Sequence, residues 1–281
     1  VTHLRMVRTG MKTVAQINTL LGAYLAPGKV MVDALNQVLP RLMEEGEWKD
    51  SMVEYAADVS AGYVTLPPDL ESLMGVRIND FPADIQMQPY EYLATGPGYL
   101  ERPVGNAYGI IDRGYQSVMS ELPTEGLAEL VFTLTGGQSF ASGDNITVDY
   151  TTVSHGRVTT SQNLSSGTSW TLTPASNITD ITSIQFTSMP SRVMATCEDD
   201  GGAVILYAIL PPGDGVARYR RYDIPQVPEL TTEEFTLTAL AKRAFVPLSL
   251  TSDTVHLDNL GALKMGLLAI VQEDAGNLEE A

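Results

Sequence analysis

The residues that could carry chemistry in this chain are few and stand apart. His3, His155 and His256 are its only histidines. None has a second ligand or a nucleophile at a useful spacing, so no metal or general-base chemistry is expected of them. Cys197 is the single cysteine, which rules out an internal disulfide and a Cys-based metal framework. The run Glu198-Asp-Asp-Gly-Gly lacks the EF-hand ligand spacing and reads as a hairpin turn between strands. Thr95-Gly-Pro-Gly has neither the GxGxxG pattern nor a following lysine, so it is not a phosphate loop. Asp69 and Glu71 are the one carboxylate pair near a turn, after the double proline of YVTLPPDLESLMGVRIN (63–79). With no apolar pocket signal beside them, they read as a solvated corner or a cap. No GxSxG elbow is present. We therefore expect no enzyme activity, no cofactor and no metal.

One basic cluster breaks the acidic background: Arg218, Tyr219, Arg220, Arg221 and Tyr222. On a strand, Arg218, Arg220 and Tyr222 share one face, and Tyr219 and Arg221 the other. Arginine interleaved with tyrosine suits a partner interface. A solvated strand pairing with the chain's own acidic groups would have the same composition.

The chain has 281 residues, enough for one large domain or two modest ones. Its 17 basic and 34 acidic residues leave a net charge of -17, which repels phosphate backbones and argues against nucleic-acid binding. The longest apolar run, 260–271, is too short to span a bilayer and carries Lys264. With one cysteine and no leader-like segment, the expectation is a soluble chain of intracellular type.

Residues 1–10 read as a small basic arm. Thr13 and Gln16 form a capping box for a helix over 13–25, and a second helix follows over 30–45 with Pro40 as a kink. Together they make an αα-hairpin. From Trp48 the period becomes strand-like: 52–58, 63–67 and 74–79, a hairpin signal at 79–84, and two short strands around Arg113-Gly114. Residues 128–217 contain no lysine, are rich in Thr, Ser and Gly, and hold six alternating segments. They read as an inserted β module, sandwich- or barrel-like. Thr231 and Glu234 form a second capping box for a helix through Leu237, Leu240, Ala241 and Ala244, closed by Pro247. Asp258 is expected to cap a last helix that buries Leu260, Leu263, Leu267, Ile270 and Val271. The fold class expected is α+β: a helical-bundle body with short antiparallel strands (11–127 and 218–281) and an inserted all-β module (128–217).

The order of these parts resembles the head-to-tail adaptors of tailed phages, also called connector, collar or head-completion proteins. The matching segments are the leading hairpin ending EEGEWKD, then YVTLPPDLESLMGVRIND, YEYLATGPG, YRRYDIP, ALAKRAFVPL and NLGALKMGLLAIVQEDAGNLE. They cover about residues 11–127 and 180–281. The resemblance implies a ring, usually of twelve copies, under the portal protein at the virion neck, continuing the DNA channel toward a tail or tail-nozzle protein. It implies helices as the ring body, a C-terminal segment on the portal, and YVTLPPDLESLMGV as a scaffold corner. DNA would pass without sequence-specific binding, no membrane is involved, and the chain would be made in the host bacterial cytoplasm. Twelve copies would carry on the order of 200 negative charges, a wall that discourages DNA from sticking. The contact residues expected on this reading are Arg218, Arg220, Arg221, Leu263, Leu267, Ile270 and Val271. A competing reading makes the β insert a carbohydrate-binding or adhesive module with Trp170 and Tyr150 as its aromatic platforms. In the bland alternative, Trp170 belongs to the core of the sandwich.

Overall fold

The computed structural model describes residues 11–46, 48–59, 62–86, 108–119, 126–134, 139–187, 193–198, 204–210, 215–225, 227 and 235–276. The basic arm 1–10, the TGPG segment and the Thr231/Glu234 capping box lie outside them. The chain divides into two compact units at 53/54 and 244/245.

The smaller unit is helical. In α1 (Val14–Leu21), which follows the two-residue strand β1 (Lys12–Thr13), the Thr13 hydroxyl accepts from Gln16 N and the Gln16 side chain accepts from Thr13 N, the reciprocal box that the spacing predicts. A 3-10 turn over Gly22–Tyr24 leads to α2 (Met31–Glu45), which contains Pro40. α3 (Leu260–Asp274) is capped by Asn259, whose side chain accepts from Ala262 N. Asp258 is not the cap; it pairs with Lys12. The three helices share one core through Val14, Ile17, Leu35, Val38, Leu263, Leu267 and Ile270, with Leu248, Val255 and Leu257 from the returning chain. The acidic end of α3 opposes the helix dipole. Arg41 answers it at Glu273 (2.5 and 3.0 Å), and Lys29 at Asp274 (3.0 Å).

The larger unit, Glu54–Ala244, is built from strands, and this overturns the helical-bundle body. Among the described residues of the chain, strand outweighs helix, 48% against 21%. Seven strands form one sheet: β2 (Met52–Asp58), β3 (Tyr63–Thr65), β4 (Leu70–Ile78), β5 (Phe81–Gln86), β6 (Tyr108–Gln116), β14 (Tyr219–Asp223) and β15 (Thr236–Arg243), in the order β2-β15-β4-β5-β6-β14-β3. The helix expected through Leu237 and Ala244 is β15. Its residues alternate, with Leu237, Ala239, Ala241 and Arg243 buried and Thr236, Thr238 and Leu240 exposed. Leu and Ala fit either period locally. Pairing with β2 and β4 on both sides decides for the strand, because a central strand gains two ladders of hydrogen bonds. Two further readings change. β5 and β6 pair in parallel, not antiparallel. β6 is also one strand, not two, with a bulge where Gly114 (φ 75°) opposes Arg221 and Asp112 opposes Tyr222. The hairpin signal at 79–84 appears as the β4–β5 turn, with Asn79 (φ 47°) and Asp80 (φ 67°) both in the left-handed region that a tight hairpin requires.

This sheet is curled. β4 and β3 stand four steps apart in its order, about 19 Å if flat. Only residues 66–69 join them, and Leu70 N donates to Pro67 O (3.0 Å), closing a turn inside that link. A link shortened by a closed turn cannot reach across a flat sheet. The strands must bend round until β4 approaches β14 and β3.

The described residues between 130 and 210 form a sandwich. A four-stranded sheet, β10-β7-β12-β13, combines β10 (Ser169–Leu172), β7 (Leu130–Leu134), β12 (Val193–Glu198) and β13 (Val204–Leu210). A three-stranded sheet, β11-β8-β9, combines β11 (Ile178–Thr187), β8 (Asp144–Thr152) and β9 (Gly156–Leu164). Their inward residues, Leu130, Phe132, Leu172, Val193 and Tyr207 from one sheet and Ile146, Val148, Tyr150, Leu164 and Ile184 from the other, make one core. β9 has no counterpart among the six segments read from the sequence. Most of its residues are exposed, so it shows no apolar alternation.

Candidate functional site

The proline corner and the arginine cluster, far apart in sequence, meet where the sheet curls. β14 delivers Arg220 and Tyr222 on one face. The Arg220 guanidinium, 19% exposed, donates through Nε (3.0 Å) and Nη2 (2.5 Å) to Asp112 on β6. Its Nη1 donates to the carbonyl of Glu71 on β4 (2.9 Å). The same guanidinium lies 5.9 Å from the ring centres of both Tyr115 and Tyr222. The Tyr222 hydroxyl accepts from Leu73 N on β4 (3.2 Å), and Leu66 N donates to Arg220 O (2.9 Å). Burial pushes the Tyr222 phenol up to about 12, so it stays protonated. Hydrogen bonds to a charged donor contribute about 1.5–3 kcal/mol each, which makes Arg220 the fastener of the corner.

The other face of β14 carries Tyr219 and Arg221. Arg221 lies over the Tyr63 ring (3.9 Å to its centre), and its Nε donates to Asp223 (2.5 Å), which also accepts from Arg113 Nε (2.6 Å). Tyr219 is sunk into the sandwich core, 1% exposed. Arg218 is exposed. Of the three candidate arginines, two are thus engaged within the chain. Their partners Asp112, Tyr63 and Tyr115 escape a sequence reading because no local spacing links them to β14, whereas Asp223 lies on β14 itself, two residues from Arg221.

Asp69, beside the prolines, is turned inward. Burial raises its carboxyl above the usual range, with the Arg243 guanidinium (3.8 Å) opposing the shift. Glu71 meets Lys242 at 3.7 Å. The two acids thus face separate basic partners. Among the described residues, no group of three or more His, Cys, Asp and Glu side chains is placed to hold a metal ion. No helix there is long and apolar enough to cross a membrane.

The C-terminal candidates Leu263, Leu267 and Ile270 lie in the core of the helical unit, and Val271 is half-buried. What α3 turns outward is Met265, 67% exposed, with Gly261. The aromatic platforms of the carbohydrate reading are spent on packing: Tyr150 is buried, and Trp170 stacks on Phe132 (5.3 Å) against the sandwich core.

No family model, curated protein or solved structure matches the chain.

Proposed function

We propose that this chain is a structural protein of a tailed-phage particle. It forms a ring beneath the portal, joins head to tail and continues the DNA channel. The observation that carries the reading is the corner itself. Two segments of the resemblance, 63–80 and 219–225, are fastened into one joint by Arg220, Glu71 O, Tyr222 and Leu73 N. Such a joint holds a scaffold in shape and offers no reacting group. The acidic surplus suits a wall that DNA passes without adhering. The partners are the portal protein, a tail protein and further copies of the chain. In this version the β unit supplies the ring body, and α3 meets the portal with its Met265 face.

Electron microscopy of the native particle, viewed at the portal vertex, tests the reading. Ring density for this chain between portal and tail is expected. Density at a fibre or on the capsid surface overturns it. For α3, Met265→Glu is expected to abolish co-sedimentation with purified portal rings at unchanged circular dichroism. Undiminished docking removes that helix from the interface.

A further inference from the structure

β9 is an open edge. It pairs with β8 over nine consecutive residues, Asp144↔Leu164 to Thr152↔Gly156, without a register shift. Among the described residues no strand lies on its other side. The opposite edge of the same sheet differs, because β11 is bridged there by Met119, Leu127 and Val216. Arg157, Thr159, Ser161, Gln162 and Asn163 are exposed. An edge strand left open normally carries a proline, a bulge, several charges or a short length to block pairing. β9 is nine residues long, regular and proline-free, and Arg157 is its only charge. Its alternate outward N–H and C=O groups call for one kind of partner, another extended backbone.

We propose that β9 pairs with β9 of a second copy of this chain, antiparallel about a two-fold axis at Thr160, joining two three-stranded sheets into one of six. Charge selects the occupant. Two chains of net charge -17 repel over most of their surface. Beside β9 the charge is balanced: Arg157 pairs with Asp149 (3.7 Å), and Asp144 is buried, accepting from Ala141 N. The register also keeps like charges apart. Thr159 of one copy faces Ser161 of the other, and Arg157 faces Asn163, which leaves the two arginines at opposite ends of the pair. The Thr159–Ser161 pair repeats the hydroxyl pairing that Thr147 and Ser161 already make between β8 and β9 (3.1 Å). An isologous contact closes at two copies, whereas a ring needs head-to-tail contacts. The dimer therefore belongs to the free protein, and it stands or falls separately from the portal reading.

Sedimentation equilibrium on the full chain at micromolar concentration tests the pairing. The expected mass is twice 30.3 kDa, with association strengthening as salt screens the net charge. The double variant Thr159→Lys with Ser161→Lys sets lysine against lysine at both facing pairs and should weaken the dimer by roughly tenfold or more. Lysine at 159 still complements Asp149, which now accepts from the Thr159 hydroxyl. The double variant Thr159→Lys with Ser161→Glu sets opposite charges at the same pairs and should keep the dimer. A monomeric wild type, or Lys/Lys and Lys/Glu variants of equal mass, overturns the pairing. Circular dichroism of both variants excludes a folding defect as the cause.

Discussion

Tyr219 and Asp149 show opposite ways of placing a polar group in this fold. The Tyr219 hydroxyl is buried in the sandwich core with no hydrogen-bond partner among the described residues, and burial raises its pKa well above the ordinary phenol value. A buried donor without a partner costs about 1–3 kcal/mol. Tyr219→Phe is therefore expected to stabilise by about 1 kcal/mol, raising Tm by about 2–4 °C in a thermal melt. A fall instead would mean that a bound water satisfies the hydroxyl. Asp149 is fully engaged. The Thr159 hydroxyl, then that of Ser183, hold its carboxyl below the usual range, with Arg157 adding to them against a small opposing effect of burial. Its folded pKa lies below its unfolded one. Its contribution is thus complete above the ordinary carboxylate value, about 3.9, and disappears as pH falls through the depressed value. Wild type should exceed Asp149→Asn in stability at pH 7, with the gap closing in melts taken at progressively lower pH. A gap that stays constant would mean the carboxylate charge plays no part.

Helices α2 and α3 pack through a glycine. A Cβ at Gly266 would collide with Cγ1 of Val38, so the absent side chain is what lets the two helices approach. Overpacking such a contact costs about 1–3 kcal/mol. Gly266→Leu should therefore lower the melting temperature, followed by helical circular dichroism. An unchanged melt would mean that Val38 moves aside at no cost. The strands were legible unevenly for a related reason. β8 alternates buried and half-buried residues along its whole length, and its apolar inward face marks it in the sequence. β9, its hairpin partner, overhangs the core with Val158 and Leu164 alone, so composition does not reveal it. β15 reads as a helix in sequence because Leu237, Leu240, Ala241 and Ala244 satisfy a helical period that two flanking strands overrule.

The net charge of -17 acts on the molecule as a whole. Internal ion pairs such as Arg220–Asp112 and Arg243–Asp69 are partly buried and weakly screened, while the surplus acids repel through solvent. Raising the salt from about 10 mM to about 100 mM shortens the Debye length from about 30 Å to about 10 Å. The repulsion should relax more than the pairs, and Tm should rise by about 2–4 °C, equivalent to about 1 kcal/mol. A Tm that drops with salt would show that the ion pairs outweigh the repulsion.

The sequence by itself determined what short range controls. The Thr13/Gln16 box, the Asn79-Asp80 hairpin, the proline turn at 67–70 and the apolar alternation of the sandwich strands all arise from neighbours in the chain. Tertiary structure decided the rest. It made β15 a strand, curled β4 toward β14, and spent Arg220 and Arg221 on Asp112, Glu71 O and Tyr63. The physical reason is that propensity and capping act within a few residues, and burial and pairing partners come from anywhere in the chain. An arginine between tyrosines therefore carries no mark of whether its acceptor lies on another molecule or on a strand more than a hundred residues away.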